Sequence, residues 1–212
     1  MTHSMQARLG DSSLFPNVSA DAYLNFAAVS PPSLRVQQAV RRMLDAYAAQ
    51  GVGAVLGVIE EREDLRVLLA RLIGADPADI GFVPNTSAGV SAIALCLPWT
   101  PGDRVVCFRG EFPTNVTPWQ RAAAAHDLEL IFGDASSMAP SQGDGLMWLE
   151  DQLRRGVRLV AISAVQFQTG LRMPLKAIGE LCAQYGAELF VDAIQAVGVT
   201  PLDVRSLGID YL

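Results

Sequence analysis

The feature that most constrains the fold is the regular alternation, after residue 80, of short apolar runs with segments of helical spacing. The runs are rich in Val, Ile, Leu and Phe, and they predict strands at residues 80–84, 104–108, 128–132, 157–163 and 187–191. The segments between them predict helices at residues 88–97, 118–126, 146–155 and 174–185. Near-continuous apolar strands that alternate with helices are typical of a parallel sheet covered on both faces. We therefore predict an α/β fold with three αβα layers and a mostly parallel sheet.

The chain before this alternation predicts an arm and two helices. Residues 1–20 are mostly polar, and residues 23–32 predict an extended segment that two prolines close. Helical spacing then predicts helices at 33–50 and 59–73, joined by a flexible glycine-rich connector. Because the chain has no internal repeat or interdomain linker, we assign residues 1–20 to an N-terminal arm and 21–212 to one large domain.

Composition limits the kinds of partner and compartment. The net charge of −6 and the scattered arginines disfavour nucleic acid as a partner. Pro, Gly or charge breaks every apolar stretch within about ten residues, well short of the roughly 20 that cross a bilayer, so we expect no membrane span. Residues 1–17 lack the apolar centre of a signal peptide, so we expect a cytoplasmic protein. Cys96, Cys107 and Cys182 lie among apolar neighbours without CxxC spacing, which predicts buried free thiols and no metal site.

Polar side chains follow several predicted strands, at the sheet edge where α/β proteins bind ligands. Asp192 directly follows the run at 187–191, and Gln195 comes three residues later. Thr86 and Ser87 stand where a predicted strand passes into a helix, so their hydroxyls and the free N–H groups of the first turn can hold a phosphate. Each feature also has an ordinary structural interpretation, because Thr and Ser often cap helices and Asp often makes turns.

Two further loops add an aromatic ring and a polar lining. Phe112 follows the strand at 104–108 and can stack on a planar ligand, or can simply pack within its loop. At the end of the predicted strand at 157–163, residues 163–170 provide polar side chains and a glycine turn, and they can line the same pocket. Together these segments predict a pocket with a phosphate cup, an aromatic lid and a carboxylate able to hold a protonated ring nitrogen.

Five motifs, in their order and spacing, resemble those of one family. They are LNFAA at 24–28, NTSA at 85–88, EFPTN with PW at 111–119, SAV with TG at 163–170, and VDAIQAVG at 191–198. They resemble the class V aminotransferases, pyridoxal-phosphate (PLP) enzymes that include cysteine desulfurases, kynureninase and isopenicillin-epimerase-like proteins. The resemblance runs from about Tyr23 to Leu212. It implies the large domain of the aspartate-aminotransferase-like fold, known as fold type I.

The resemblance implies a cofactor role for six residues. They are Thr86, Ser87, Ala88, Phe112, Asp192 and Gln195. The first three would bind the phosphate, and Phe112 would cover the pyridine face. Asp192 would pair with the protonated pyridine nitrogen, and Gln195 would reach the phenolic oxygen. A carboxylate on that nitrogen keeps it protonated, which lets the ring accept electrons from a substrate carbanion.

Two positions depart from the cysteine desulfurases within this family. Those enzymes carry His at the stacking position and Asn in the loop after the fourth strand, where this chain has Phe112 and Phe167. Phe cannot transfer a proton as His can, so the departures favour the isopenicillin-epimerase-like or general aminotransferase members. The candidates that the resemblance supplies for the substrate pocket are Asn25, Ala27, Ala28 and Phe167.

A PLP enzyme also needs a lysine for its Schiff base, and none of these motifs contains one. Lys176 is the only lysine in the sequence, and its place at the start of a predicted helix predicts a surface charge. Residues 208–212 resemble the strand that precedes the family's lysine. We therefore expect this chain to be a part of a longer enzyme, cut before that lysine and lacking the small C-terminal domain. We expect this part to bind PLP non-covalently at most.

The resemblance implies that the complete enzyme acts on an amino acid by transamination, racemisation or elimination, and that it forms a homodimer. This part of it is expected to be inactive. An alternative is a short non-catalytic protein that binds a phosphorylated ligand or a partner chain. An unrelated nucleotide-binding domain is disfavoured, because the sequence has neither GxGxxG after a strand nor GxxxxGK[ST].

Overall fold

A parallel sheet of four strands forms within the described part of the chain. The structure is a computed structural model that describes residues 12–141 and 143–212. The strands are β1 (Arg104–Arg109), β2 (Glu129–Asp134), β3 (Leu159–Ser163) and β4 (Glu188–Asp192). They lie in the order β2-β1-β3-β4, and all neighbours are parallel. These four predicted strands are confirmed.

Helices connect and flank the strands. They are α1 (Leu34–Gln50), α2 (Val55–Ile73), α3 (Thr86–Cys96), α4 (Thr117–His126), α5 (Gly145–Arg154), α6 (Leu175–Tyr185) and α7 (Val204–Leu207). Within the described residues, none of these helices has the length and apolar character needed to cross a bilayer. The chain divides into two compact units, one that ends at Asp64 and one that runs from Leu65 to Leu212. The sheet belongs to the second unit, and the domain bounds taken from the sequence stay a prediction.

Alternate strand residues point to opposite faces of the sheet, and both faces are apolar. On one face Val106, Val160 and Leu189 pair across neighbouring strands and pack with residues of α5 and α6. On the other face Val105 pairs with Leu159, and both pack with residues of α3 and α4. Helices therefore bury both faces, which explains why the strands are apolar at nearly every position. The predicted three-layer αβα fold is confirmed.

The direction of strand addition reverses between β1 and β3. From β1 the sheet extends to β2 on one side, while β3 and β4 lie on the other. The ladder is also shortest here, since β1 and β3 pair at two positions, whereas β1 pairs with β2 at six and β3 with β4 at five. In open α/β sheets, ligands bind in the crevice outside the carboxyl ends of the strands at such a reversal.

The predicted strand at 80–84 is wrong. The backbone is extended at Ile80, with φ −90° and ψ 111°, but the segment pairs with no strand among the described residues. A strand needs a partner for its backbone groups. Here the Ile80 carbonyl instead accepts a hydrogen bond from the Arg66 guanidinium. At the other end of the second unit, Tyr211 does pair in parallel with Phe190 of β4, as the resemblance of residues 208–212 to a strand implied.

The first unit corrects two predictions. Residues Gly51–Ala54 form a 3₁₀ turn and α2 begins at Val55, so the glycine-rich segment is helical rather than a flexible connector. Residues 26–28 form a turn inside the segment predicted to be extended, because the Asn25 carbonyl accepts the Ala28 and Val29 N–H groups, both at 3.2 Å. The Tyr23 hydroxyl also spans this turn, since it donates to the Val29 carbonyl at 2.5 Å. Residues 1–11 of the predicted arm lie outside the described residues.

The cysteine prediction is right for two residues and wrong for the third. Cys107 in β1 and Cys182 in α6 are buried, one on each face of the sheet. Cys96 is exposed. It lies two residues, or about 200° of helical rotation, after the buried Ala94, so its side chain falls on the outer face of α3.

Candidate functional site

Asp192 ends β4 at the carboxyl edge of the sheet, where it pairs with Ser163 of β3. Only 6% of the residue is exposed. Its Oδ1 accepts a hydrogen bond from the Ile194 N–H at 3.0 Å, which favours the ionised form. Burial outweighs this bond and raises the pKa of the carboxyl group, because the ionised form loses hydration. A cationic donor, such as a protonated ring nitrogen, would stabilise the ionised form at this place.

Helix α3 begins with an asparagine cap. The Asn85 side chain accepts the Ala88 N–H at 2.9 Å. Within residues 12–141 and 143–212, no acceptor takes the N–H groups of Thr86 and Ser87. Together with the helix dipole, these open donors suit an anion. Of the three residues predicted to bind phosphate, Thr86 and Ser87 have open N–H groups, while the cap engages that of Ala88.

A hydroxyl contact joins the start of α3 to the loop after β1. Ser87 Oγ lies 2.8 Å from Thr114 Oγ1. Phe112 of the same loop meets Phe167 of the loop after β3 edge to face, with ring centroids 5.2 Å apart and ring planes at 85°. Phe112 is 50% exposed and Phe167 is 38% exposed, so each ring keeps an open side. The two aromatic residues that the sequence placed in separate loops are thus in contact.

Glu111, the first residue of the EFPTN motif, lies buried at this same edge, although the sequence assigned it no role. Its Oε1 accepts the Ser163 N–H at 2.8 Å, and its Oε2 accepts the Ser163 hydroxyl. Burial raises the pKa of Glu111 and the charge of Asp192 adds to the rise, while the hydrogen bonds from Ser163 and the proximity of the Asn115 amide oppose it. The available signal was its position just beyond an apolar strand, which resembles the position of Asp192.

Asn115 anchors the loop that carries Glu111. Its Oδ1 accepts the Trp119 indole N–H at 3.1 Å, which joins the loop to α4. Its Nδ2 is fully buried and makes no hydrogen bond of normal length to the described residues. This amide lies close enough to Glu111 to favour the ionised carboxylate. The buried side chain of Asn115 therefore anchors the loop after β1 to α4.

Gln166 is a second buried residue that the sequence did not single out. Its Nε2 donates to the Gly110 carbonyl. Its Oε1 accepts the N–H groups of Gln168 at 2.7 Å and Thr169 at 2.9 Å. A glutamine in a polar loop carries no signal of burial, so only its tertiary contacts reveal it.

Gln195 lies half-buried in the turns that follow Asp192, where it is engaged in a contact. Lys176 stands on the first turn of α6 with 75% of its side chain exposed. Its Nζ is 4.0 Å from the Glu180 carboxylate. The prediction that Lys176 is a surface charge is confirmed.

The predicted substrate-pocket residues divide between the two units. Phe167 belongs to the second unit, in the aromatic contact with Phe112. Asn25, Ala27 and Ala28 belong to the first, where the Asn25 carbonyl accepts the Ala28 N–H at 3.2 Å. Their role in a substrate pocket stays a prediction. Among the described residues, no group of three or more His, Cys, Asp or Glu side chains is arranged to hold a metal ion.

The contacts form a continuous series along the carboxyl edge. The series runs through Ser87, Thr114, Glu111, Ser163 and Asp192, with Thr114 and Glu111 in one loop. It provides open N–H groups for a phosphate, open aromatic faces for a planar ring and a buried carboxyl group for a protonated nitrogen. These three kinds of group fit the three chemically distinct parts of PLP.

Comparison with known proteins agrees with this fold and shows the family of the chain. The sequence profile described as Aminotransferase class-V matches residues 22–212. The chain belongs to the class V aminotransferase family, and the resemblance carried by its motifs is confirmed.

Individual relatives extend the comparison. A probable cysteine desulfurase of Methanothermobacter thermautotrophicus is 29% identical over 202 residues, which cover 92% of this chain and 49% of that protein. The uncharacterized aminotransferase YcbU of Bacillus subtilis is 30% identical over 202 residues, with 94% and 52% covered. The structure of a C-DES mutant with glycine covalently linked to its PLP cofactor superposes with a TM-score of 0.86 at 26% identity, covering 94% of this chain and 54% of that one. The chain thus spans about half the length of these relatives.

Proposed function

We propose that this chain is the cofactor-binding large domain of a PLP-dependent enzyme that acts on an amino acid. The observation that carries the proposal is the buried carboxyl group of Asp192 at the carboxyl edge of the sheet, one strand from the β1/β3 reversal, in a continuous series of contacts with the start of α3. Such a carboxylate suits a protonated pyridine nitrogen, and an open helix start suits a phosphate.

Each predicted residue has a separate task in this proposal. Thr86 and Ser87 hold the phosphate through their open N–H groups and hydroxyls. Phe112 lies against the ring, Asp192 keeps the ring nitrogen protonated, and Gln195 reaches the phenolic oxygen. When bound, PLP supplies an electron sink for carbanions formed at the substrate Cα.

The reaction class is proposed as transamination, racemisation or elimination. C-DES, a cystine C-S lyase, and several probable cysteine desulfurases are among the similar proteins. Phe112 and Phe167 replace the His and Asn that the desulfurase motifs carry, so these two positions offer no imidazole for proton transfer. We therefore favour a reaction other than desulfuration.

The lysine chemistry of such an enzyme has no candidate at this edge. Lys176 is exposed on α6 and lies next to Glu180. We propose that the residues of this chain bind PLP non-covalently and do not by themselves catalyse turnover. The three free cysteines agree with a reducing compartment, and we propose the cytoplasm.

We further propose that the complete enzyme is a homodimer. Val36, Val40 and Leu44 of α1 are exposed at a spacing of four residues and form an apolar stripe. A concentration-independent monomer in sedimentation velocity would contradict this proposal.

PLP binding by the purified chain tests the proposed site. We expect saturable binding, and we expect Asp192→Asn to weaken it by about tenfold or more, since the pyridinium loses its counter-charge. The asparagine can still accept the Ile194 N–H, so the local fold should survive. Lys176→Ala is the control and should bind as the wild type does. The measurement is an absorbance titration, followed by borohydride reduction and mass spectrometry.

Two results would argue against the proposed function. Equal affinity of the wild type and Asp192→Asn would remove Asp192 from the site, and PLP reduced onto Lys176 would contradict non-covalent binding. A third pattern would favour the non-catalytic alternative, in which the chain binds a phosphorylated ligand. Inorganic phosphate would then compete for the site, while unphosphorylated pyridoxal would not bind and Asp192→Asn would have no effect.

A further inference from the structure

The crevice between β1 and β3 lacks a backbone ladder at its carboxyl end. Pairing stops at Val106 with Val160, and the strands run on to Arg109 and Ser163 without further partners in each other. The Ser163 N–H therefore needs another acceptor, because a buried backbone donor without one is destabilising.

Glu111 supplies that acceptor. Its side chain reaches across the crevice, so that one carboxylate oxygen accepts the Ser163 N–H at 2.8 Å and the other accepts the Ser163 hydroxyl. Glu111 and Ser163 are 52 residues apart in the chain. The contact thus replaces the missing ladder with a side-chain link between the end of β3 and the loop after β1.

Gln166 makes a link in the opposite direction. From the loop after β3, its Nε2 donates to the carbonyl of Gly110, the residue before Glu111. Gly110 has φ +89°, a conformation that favours glycine, so its carbonyl is aimed by a backbone shape that few other residues adopt. The loop after β1 therefore sends a side chain to the last residue of β3, and the loop after β3 sends one to the backbone of the loop after β1.

The two linking residues directly precede the two aromatic residues in sequence. Phe112 follows Glu111, and Phe167 follows Gln166. The rings of Phe112 and Phe167 meet at 5.2 Å. Because the two links hold the backbone next to each phenylalanine, they also determine the distance and angle at which the rings meet.

We propose that Glu111 and Gln166 form a brace across the β1/β3 crevice, which positions Phe112 and Phe167 for a planar cofactor ring. The proposal rests on the proposed function, since the ring in question is that of PLP. Both residues act through the phenylalanines and have no direct role in chemistry. We expect the loss of either link to reorient the aromatic pair while the domain stays folded.

Hydrogen exchange tests the brace without any ligand. In Glu111→Ala, the Ser163 N–H loses its acceptor, so we expect faster exchange in peptides covering residues 108–117 and 163–170. Gln166→Ala should accelerate the same peptides. Asp210→Ala is the matched control, because Asp210 also accepts a strand N–H, that of Leu189 at 2.8 Å, but at the other end of β4. It should accelerate exchange near Leu189 and leave the two loops unchanged.

PLP affinity tests the positioning role. We expect Glu111→Ala and Gln166→Ala to weaken PLP binding by about tenfold, and Asp210→Ala to leave it unchanged at equal fraction folded. Glu111→Gln should rescue much of the affinity, because its amide oxygen can still accept the Ser163 N–H and the Ser163 hydroxyl can turn to accept from the amide nitrogen. If Glu111→Ala does not fold, Glu111→Gln and Gln166→Ala carry the test.

The outcomes separate the two proposals. Unchanged exchange in both loops in Glu111→Ala, or PLP affinity lost equally in Asp210→Ala, would overturn the brace. Faster loop exchange with unchanged PLP affinity would reduce the contacts to a purely structural role and would also overturn it. If the wild-type chain binds no PLP, the proposed function fails and positioning for PLP fails with it, while the exchange experiment still decides whether the link exists.

Discussion

At the residue scale, two buried carboxyl groups define the electrostatics of the site. Asp192 and Glu111 are each less than a tenth exposed and lie at the carboxyl edge on either side of the end of β3. Burial raises the pKa of both, and the charge of Asp192 further raises that of Glu111. Ionising these carboxyl groups in the folded chain therefore costs free energy, which a cationic ligand would offset. This is the arrangement expected of a binding site rather than of a stabilising ion pair.

The raised pKa of Asp192 predicts the sign of a pH effect on stability. A folded pKa above the unfolded value means that the native state keeps its proton to higher pH, so the stabilisation is complete below the ordinary Asp pKa of about 3.9 and is lost as pH rises through the folded value. We expect the free energy of unfolding of Asp192→Asn, relative to wild type, to increase between about pH 4 and pH 7. Urea unfolding at several pH values measures it.

A control of opposite sign is available in Asp203. This residue caps α7, and the bonds from the Ser206 N–H and hydroxyl lower its pKa. Its stabilisation is therefore present above the ordinary Asp pKa and is lost as pH falls, so Asp203→Asn should lose stability at neutral pH and little at low pH. A slope of the same sign in both variants would contradict these assignments.

At the element scale, α6 packs unusually close to the end of α7. A Cβ built on Gly179 of α6 would lie 1.9 Å from the Leu207 carbonyl oxygen, a backbone atom that has little freedom to move. This approach fixes how α6 sits against the segment that leads to Tyr211 and the edge of β4. A glycine at this place is required by packing, since its φ is not in the left-handed region.

This packing predicts that Gly179→Ala destabilises the chain by about 1–3 kcal/mol, because the added methyl group forces the two helices apart. Gly57→Ala is the matched control, since Gly57 is also helical but a Cβ added there would meet nothing within 4 Å. Alanine there should be neutral or stabilising by up to about 1 kcal/mol. Chemical denaturation compares the two, and equal effects would refute the close approach.

At the scale of the whole molecule, the two buried cysteines report on the two faces of the sheet. Cys107, on β1, lies in the core beneath α3 and α4, and Cys182, on α6, lies in the core between the helical layer of α5 and α6 and the other face of the sheet. Burial raises the pKa of each thiol to about 12, so neither is a reactive thiolate near neutral pH. Cys96 is exposed on the outside of α3.

A thiol-reactive chromophore therefore tests both faces at once. We expect one rapidly labelled thiol in the native chain at pH 8, identified as Cys96 by peptide mapping, and two that react only as fast as the chain opens. Cys96→Ser is the control and should leave no fast phase. Rapid labelling of either Cys107 or Cys182 would mean that the corresponding helical layer does not cover the sheet.

Local pattern accounts for most of the fold, and its failures have a common cause. The runs that became β1 to β4 are apolar on both faces, which in itself requires a covered parallel sheet. Residues 80–84 are also mostly apolar yet form no strand among the described residues, because pairing depends on a partner and not on the segment alone. Gly51–Ala54 forms a 3₁₀ turn that leads directly into α2, although its glycines alone suggested a flexible connector.

The candidate site also divides into residues that local pattern predicts and residues that only tertiary contacts reveal. Asp192, Thr86, Ser87 and Phe112 were accessible to sequence reasoning because parallel strands bring their carboxyl ends to one edge, whatever the details of packing. Glu111 and Gln166 were not, because their importance lies in bonds to residues more than fifty positions away. A glutamate is ordinarily exposed, and its burial is favourable only where hydrogen-bond donors are placed to meet its carboxylate oxygens.

The sequence by itself determined the layered α/β fold, the edge at which chemistry is concentrated and the family, because hydrophobic period and strand-end position are local properties of the chain. Only the tertiary structure decided that the ladder between β1 and β3 stops short, and that Glu111 and Gln166 bridge the crevice in its place. The physical reason is that a hydrogen bond exists only where donor and acceptor meet within about 3 Å, and the packing of two distant loops sets that distance.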